Sequence, residues 1–216
     1  MSDLLFSILP MLNNFDEAKL IHYRSLGLNK IHYDVMDEFV NNTAFDERYV
    51  DKLHELGYQV NVHLMVNKVA NNILTYAKTK CDAVSFHVEP LANNKPLIAK
   101  YLAYLKTNNK KVGLAFKFNT DINEYLEYIK LVDYVTLMSV EPGAGGQSFE
   151  PLVYRNIAKL IKFNKDLPIE IDGGITLDKA IELKGLVSDF VSGSYFYKLD
   201  DQQKQAMLQT IRADHN

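Results

Sequence analysis

The sequence predicts an α/β protein, a (β/α)8 TIM barrel that forms a single domain over residues 1–216. Eight short runs are apolar on both faces, as buried parallel strands are. Segments with helical periodicity lie between them, so strands and helices alternate. No Gly-x-Gly-x-x-Gly motif follows the first run, which disfavours the alternative of an open doubly wound sheet.

The predicted strands are often rich in β-branched or aromatic residues. In chain order they cover Leu4–Leu9, Lys30–Asp34, Gln59–Met65, Ala83–His87, Lys111–Phe116, Asp133–Met138, Pro168–Asp172 and Asp189–Ser192. Eight strand-then-helix units in a chain of 216 residues fit the barrel near the short end of its size range. No linker rich in Gly, Ser or Pro divides the chain, so we predict one domain.

The predicted helices carry apolar residues on one face. The clearest stripe, between strands 4 and 5, consists of Leu97, Ile98, Tyr101, Leu102 and Leu105. Shorter stripes follow strands 5 and 6, at Tyr125, Leu126 and Ile129 and at Ile157, Leu160 and Ile161. Turn signals close several helices, at Leu26-Gly27, Leu56-Gly57 and Asn108-Asn109.

Composition excludes several classes of protein. Hydrophobic residues make up 47% and charged residues 24%, which argues against disorder, and a net charge of −3 gives no reason to expect nucleic-acid binding. Cys81 is the only cysteine, so no intramolecular disulfide can form. The apolar start Leu4–Leu12 contains Pro10 and follows an aspartate, unlike a signal peptide. No run is long enough to span a bilayer, and we expect a cytoplasmic protein with neither membrane nor nucleic-acid partners.

Metal-ligating residue types end three of the predicted strands. His32 and Asp34 are two apart and face the same way, His63 ends strand 3, and Asp172 ends strand 7. An isolated His-x-Asp is more often a core histidine bonded to an aspartate. Four such residues at the carboxyl ends of one barrel, where its chemistry occurs, instead predict a site for divalent zinc, manganese, iron or cobalt.

Glycines follow strands 6, 7 and 8. Gly173-Gly174 and Gly193-Ser194 occupy the loops where such barrels commonly bind phosphate, and Ser194 could cap the next helix and donate its hydroxyl. The alternative is that these are tight turns requiring positive φ. The loop Gly143–Gln147 could close over a substrate or be a surface loop.

Three methionines, Met36, Met65 and Met138, end strands 2, 3 and 6. They could form a soft apolar floor beneath a substrate. The alternative is that they are core residues, which is the commoner role of methionine.

Seven motifs in order carry a family resemblance. They are Ser7-Ile8-Leu9, His32-x-Asp34-Val35-Met36-Asp37, Val62-His63-Leu64-Met65, His87-Val88-Glu89, Pro142-Gly143-x-Gly145-Gly146-Gln147-x-Phe149, Asp172-Gly173-Gly174-Ile175 and Gly193-Ser194. Over nearly its whole length the chain thus resembles the ribulose-phosphate 3-epimerases. These are (β/α)8 enzymes that interconvert D-ribulose 5-phosphate and D-xylulose 5-phosphate at C3.

The resemblance implies roles for individual residues. His32, Asp34, His63 and Asp172 would bind one divalent metal ion, with zinc the first expectation and manganese, iron or cobalt as alternatives. Asp34 and Asp172 would also exchange the substrate proton, and Ser7 and His63 would contact the substrate. The phosphosugar and its phosphate would be held by Asp172 and by Gly143, Ala144, Gly145, Gly146, Gly173, Gly174, Gly193 and Ser194. The resemblance further implies a homo-oligomer that acts in pentose phosphate metabolism. His87 and Glu89 are not ligands in that family, so we expect them to line the pocket or to be structural.

Elementary chemistry supports two carboxylates at this site. Inverting a carbon beside a carbonyl requires that a proton leave one face and return to the other, so one acid–base residue per face is the simplest arrangement. A divalent cation can stabilise the enediolate formed in between.

Departures from the family pattern keep alternatives open. The loop Asp37–Asn42 is one residue shorter than usual and lacks its glycine and proline, and Ala144 stands where an aromatic residue is usual. A six-carbon phosphoketose such as D-allulose 6-phosphate is therefore an alternative substrate, and a catalytically inactive phosphosugar-binding barrel is a second alternative. A phosphosugar decarboxylase is disfavoured, because Asn61–Val66 lacks the Asp-x-Lys-x-x-Asp array of such enzymes.

Overall fold

A computed structural model describes residues 2–40, 42 and 47–213 of the chain. Its strands are β1 (Asp3–Ser7), β2 (Lys30–Met36), β3 (Gln59–Met65), β4 (Ala83–His87), β5 (Lys111–Phe116), β6 (Tyr134–Met138), β7 (Ile169–Asp172) and β8 (Asp189–Ser192). Each strand pairs in parallel with the next, and β8 pairs with β1, so the sheet closes. The predicted (β/α)8 barrel is confirmed. Asn41, in the shortened loop after β2, lies outside the described residues.

The helices surround the barrel and bury their apolar faces against it. They are α1 (Glu17–Ser25), α2 (Arg48–Glu55), α3 (Val69–Tyr76), α4 (Pro96–Thr107), α5 (Leu126–Ile129), α6 (Val153–Phe163), α7 (Leu177–Leu183), α8 (Ser194–Lys198) and α9 (Asp201–Arg212). In α4 the predicted stripe is correct, since Ile98, Leu102 and Leu105 are all buried. Of the helices in the described ranges, none is both long enough and apolar enough to cross a bilayer.

Glycines end α1 and α2 where the sequence predicts. Gly27 and Gly57 follow these helices with φ of +102° and +86°. A glycine adopts this left-handed conformation without the steric penalty that a Cβ atom brings. After each of these glycines the chain turns sharply into the next strand.

The first strand is shorter than predicted. The prediction ran over Leu4–Leu9, whereas β1 ends at Ser7 and a 3-10 turn covers Leu9–Met11. Pro10 lacks the N–H that a strand would pair, and its fixed φ suits the start of a helical turn. The chain therefore bends away from the barrel directly after Ser7.

Strand register determines which side chains meet at the open end of the barrel. Asp34 of β2 lies opposite His63 of β3, and Met138 of β6 lies opposite Asp172 of β7. Side chains alternate along a strand, so His32 and Asp34 both point inward while Tyr33 packs against the helices. The carboxyl ends of β2, β3 and β7 thus bring their polar residues to one place.

Candidate active site

Two imidazoles and two carboxylates converge at the carboxyl end of the barrel. His32, Asp34, His63 and Asp172 are all buried, and each offers one ligand atom within 4.8 Å of the others. Nε2 of His32 lies 3.1 Å from Nδ1 of His63, 3.4 Å from Oδ1 of Asp34 and 3.3 Å from Oδ2 of Asp172. Nδ1 of His63 lies 3.2 Å from the same Asp172 oxygen. The structure therefore brings together the four residues that the sequence proposed as ligands.

This arrangement suits a small divalent cation. Ligand atoms at zinc bond lengths of about 2.0 Å sit roughly 3.3 Å apart in a tetrahedral site. The spacings around Nε2 of His32, from 3.1 to 3.4 Å, match that separation. Two nitrogens and two oxygens are also the donor set that zinc and its transition-metal neighbours accept, whereas calcium requires more oxygen.

The electrostatics of the cluster favour a cation as well. Burial lowers the pKa of His63 to about 4, so its imidazole is neutral at physiological pH. Burial opposes charge on His32 too, but the carboxylates of Asp172 and Asp34 raise the pKa of His32 well above its usual value. Burial likewise opposes ionisation of Asp172, yet His32 and His63 hold the pKa of that carboxyl well below its usual range. The cluster thus stabilises positive charge on His32, and a bound cation would take the place of that proton.

Asp34 is held in place by Ser7. The Ser7 hydroxyl donates a 2.6 Å hydrogen bond to Oδ2 of Asp34, and its oxygen accepts the backbone N–H of Leu9 at 3.3 Å. β1 and β2 are neighbours, with Ser7 opposite His32. Contact of Ser7 with a substrate stays a prediction, because this geometry shows only that its hydroxyl orients the carboxylate.

The cluster lies at the base of a cavity of about 280 Å³ at the mouth of the barrel. Except for His63, every residue predicted to hold substrate or to form the floor lines this cavity. The lining residues that were predicted are Ser7, Met36, Met65, Met138, Gly143, Ala144, Gly145, Gly146, Asp172, Gly173, Gly174, Gly193 and Ser194. His63 is fully buried beneath them, and its contact with substrate stays a prediction. A cavity of this size fits a small phosphorylated sugar.

Glycines lie where the loops after β6, β7 and β8 meet at the cavity wall. Gly174 has a φ of +64°, and a Cβ atom there would lie 2.7 Å from the backbone nitrogen of Phe149. A Cβ atom at Gly145 would lie 2.8 Å from the Ser194 hydroxyl oxygen. The loops after β6, β7 and β8 therefore approach one another more closely than larger residues allow. Backbone N–H groups exposed by such glycines are suited to bind a phosphate.

The expected capping role of Ser194 is wrong. Gly193 is the N-cap of α8, Ser194 is the first helical residue, and no side-chain capping bond forms. The Ser194 hydroxyl instead faces Gly145 across the cavity. The hydroxyl remains available to a bound anion, and its predicted contact with phosphate stays a prediction.

The loop Gly143–Gln147 has a defined conformation. Asn42 donates its side-chain N–H to the carbonyl of Gly143 at 2.6 Å. The Gln147 amide donates to the carbonyls of Glu141 and Ala144 at 2.7 and 2.8 Å. These bonds tie the loop to the segment after β2 and place it over one side of the cavity.

Two polar residues of the region were not predicted. Glu170 accepts a 2.8 Å hydrogen bond from the Thr136 hydroxyl, and its Oε1 lies 3.7 Å from Nδ1 of His32. Burial raises the pKa of Glu170 to about 7. Its position two residues before Asp172 on β7 is a signal that could have revealed it. Lys198 lines the cavity from the end of α8, and the sequence carried no comparable signal for it.

Comparisons with known proteins find relatives of similar sequence over most of the chain. Residues 3–197 match the model of the ribulose-phosphate 3 epimerase family. The chain is 46% identical over 207 residues to ribulose-phosphate 3-epimerase from Mycoplasma genitalium, covering 95% of this chain and 97% of that protein. It is 43% identical over 209 residues to the protein of that name from Mycoplasma pneumoniae, covering 96% and 95% of the two chains.

Solved structures agree on the fold. KGPDC from Streptococcus mutans superimposes with a TM-score of 0.72 over 98% of both chains, at 11% sequence identity. At so low an identity the likeness bears on the barrel alone. The family match covers all eight strands and every residue that lines the cavity except Lys198, and from it we conclude that this chain belongs to the ribulose-phosphate 3-epimerase family.

Proposed function

We propose that the chain interconverts D-ribulose 5-phosphate and D-xylulose 5-phosphate by inverting C3. The observation that carries this proposal is the pair of carboxylates, Asp34 and Asp172, in the wall of one cavity and within reach of each other. They come from β2 and β7, which are separated in the barrel by β8 and β1. The names of the Mycoplasma relatives support the same reaction.

The chemistry requires a proton to leave C3 on one face and another to arrive on the opposite face. One aspartate accepts the first proton, which is acidified by the neighbouring carbonyl, and the other aspartate donates the second. Ser7 orients the Asp34 carboxylate through its 2.6 Å hydrogen bond, and the two imidazoles orient Asp172. Carboxylates that are already held in the reactive orientation raise the rate, because less orientational freedom must be lost to reach the transition state.

His32, Asp34, His63 and Asp172 would hold one divalent metal ion, with zinc as the first candidate and manganese, iron or cobalt as alternatives. Bound there, the cation supplies Lewis-acid stabilisation of the negative charge that develops on the substrate oxygens. The protein shields the four side chains from bulk solvent, since all of them are buried. Exclusion of bulk solvent strengthens each electrostatic interaction in the site.

The glycine-lined part of the cavity wall would bind the phosphate group. Gly173, Gly174, Gly193 and Ser194 surround a region where backbone N–H groups can approach an anion. Lys198 adds a positive charge at the rim. The distance between the two aspartates and the phosphate-binding loops would determine which length of sugar fits. D-allulose 6-phosphate is therefore the alternative substrate to compare.

An inactive phosphosugar-binding barrel would not need both acid–base residues. Asp34 and Asp172 are both present, and both line the cavity. A decarboxylase is also not favoured, because Lys68, the first lysine after β3, is exposed and pairs with Glu38 at 3.1 Å.

The test is turnover of D-ribulose 5-phosphate by purified protein, before and after chelation and with zinc or manganese restored. We expect rapid formation of D-xylulose 5-phosphate that falls on chelation and recovers with metal. Weak turnover of the pentulose together with rapid turnover of D-allulose 6-phosphate would support the six-carbon alternative. Full activity after verified metal removal would overturn the four-ligand site.

A further inference from the structure

We infer that His87 and Glu89 act as a positioning pair that fixes the ring of His63 in the orientation needed to bind metal. The inference rests on the proposed metal site and goes beyond it. Neither residue belongs to the four-residue cluster, and neither lines the cavity. Their effect on the site would act through His63.

The first observation is a stack of imidazole rings. The rings of His63 and His87 lie nearly parallel, with an interplanar angle of 18° and centroids 5.1 Å apart. On its other side His63 meets His32 edge-on at 70°, also with centroids 5.1 Å apart. All three rings are buried. The ring of His63 is therefore held between the ring of another candidate ligand and the ring of His87.

The second observation is that packing alone holds the outer side of His63. Its Nδ1 faces the cluster, while Nε2 is buried with no hydrogen-bond partner among the described residues. A metal-binding histidine usually donates its second N–H to a carboxylate, a carbonyl or a water, which fixes the ring. Here stacking against the face of His87, instead of a hydrogen bond to such an acceptor, orients the ring.

The third observation is that His87 is itself held rigidly. Its Nδ1 lies 2.8 Å from Oε2 of Glu89. Burial disfavours charge on Glu89, but His87, the Thr120 hydroxyl and the Lys117 backbone N–H lower the pKa of Glu89 to about 2. Glu89 is thus a carboxylate and accepts the Nδ1 proton of His87.

The anchor of Glu89 lies in the next loop around the barrel. Its Oε1 accepts the backbone N–H of Lys117 at 2.8 Å and the hydroxyl of Thr120 at 2.5 Å. β4 and β5 are paired, with His87 opposite Ala115. The position of His63 is therefore connected through His87 and Glu89 to the loop after β5.

The experiment measures zinc affinity of the full-length protein by competition with a chromophoric chelator. His87→Ala removes the stacking ring, and we expect zinc affinity to fall about 10- to 100-fold, as for loss of outer partners at other metal sites. We expect kcat to fall with it while KM stays within about twofold, since His87 does not touch the cavity. His87→Phe keeps a ring but lacks the bond to Glu89, and we expect it to lose zinc affinity, though less than His87→Ala, because the stacking ring remains while its anchor is gone.

Phe86→Leu is the matched control. Phe86 lies on the same strand but faces the helices, where its ring meets Tyr101 edge-on at 6.2 Å. It should lower thermal stability and leave zinc affinity unchanged. Zinc affinity unchanged in both folded His87 variants would overturn the inference. His87→Ala could fail to fold. In that case, a folded His87→Phe whose zinc affinity is reduced 100-fold would also overturn the inference, because a stacking ring would then not be sufficient to orient His63. Failure of the wild-type protein to bind either zinc or manganese would instead contradict the metal site of the proposed function.

Discussion

The hydroxyl of Ser7 on β1 donates a 2.6 Å hydrogen bond to Oδ2 of Asp34 on the neighbouring strand. Both side chains are buried, and the backbone N–H of Leu9 donates to the same serine oxygen. The single hydroxyl proton is therefore committed to the carboxylate. Ser7 acts on the site through the orientation of Asp34.

Replacing Ser7 with alanine should lower kcat about tenfold and change KM less. The lost hydrogen bond to a charged group is worth roughly 1.5–3 kcal/mol, and Asp34 would sample unproductive orientations. Steady-state kinetics on the pentulose phosphate measure both constants. Ser7→Thr keeps the hydroxyl and should recover part of the loss. A variant in which KM rises and kcat is unchanged would show that Ser7 serves in binding instead.

Replacing Asp34 or Asp172 with asparagine should reduce turnover by roughly 10²- to 10⁴-fold, because in the proposed mechanism each carboxylate would transfer a proton that an amide cannot. Far-ultraviolet circular dichroism should show an unchanged fold. Metal content should be measured in each variant, since both residues are candidate ligands. Full activity in both variants would contradict the two-carboxylate mechanism.

Removing metal should lower thermal stability. A ligand at one hundred times its dissociation constant stabilises the folded state by about 2.7 kcal/mol. For a chain of this size that corresponds to roughly 5–10 °C in Tm. Differential scanning calorimetry with chelator, and then with excess zinc, should show the loss and its recovery. His32→Ala should abolish the zinc-dependent increase, whereas the exposed His22→Ala should not.

Replacing Glu89 with glutamine should destabilise the protein in a pH-dependent way. The pKa of Glu89 is about 2 when folded, against about 4.3 for an unperturbed glutamate, so folding favours the ionised form. Its stabilisation, on the order of 3 kcal/mol, is fully present above pH ~4.3 and is lost as pH falls through 2. Urea unfolding at pH 7 and at pH 3 should show the difference in stability between the wild type and the variant falling by about half. A difference that does not depend on pH would contradict this origin.

Replacing Lys198 with glutamine should raise KM about three- to tenfold and leave kcat unchanged. Lys198 lines the cavity, and within the described parts of the chain no acidic side chain forms an ion pair with it. The effect should shrink at high ionic strength, because salt screens exposed charges. Lys165, exposed in the turn before β7 at the opposite end of the barrel, provides the control variant Lys165→Gln. Equal effects of both variants would argue against a local contact.

Much of the fold followed from local chemistry. Strands such as Gln59–Met65 and Ala83–His87 begin and end where predicted, because a strand buried in a parallel barrel is a short run of mainly apolar residues. The candidate ligands could be placed at one mouth because all carboxyl ends of a parallel barrel meet on one side. The apolar run Leu4–Leu9 extends beyond the end of β1, because Pro10 favours a 3-10 turn although its neighbours are apolar.

By itself the sequence determined the kind of barrel, the identity of the candidate ligands and the glycine-rich loops around them. These depend on periodicity and on the order of residues along single strands, which sequence records directly. Only the tertiary structure decided that Ser7 is bonded to Asp34, that Lys198 reaches the cavity and that His87 stacks on His63. Such contacts depend on register between strands and on side-chain packing, which arise only when distant segments are brought together.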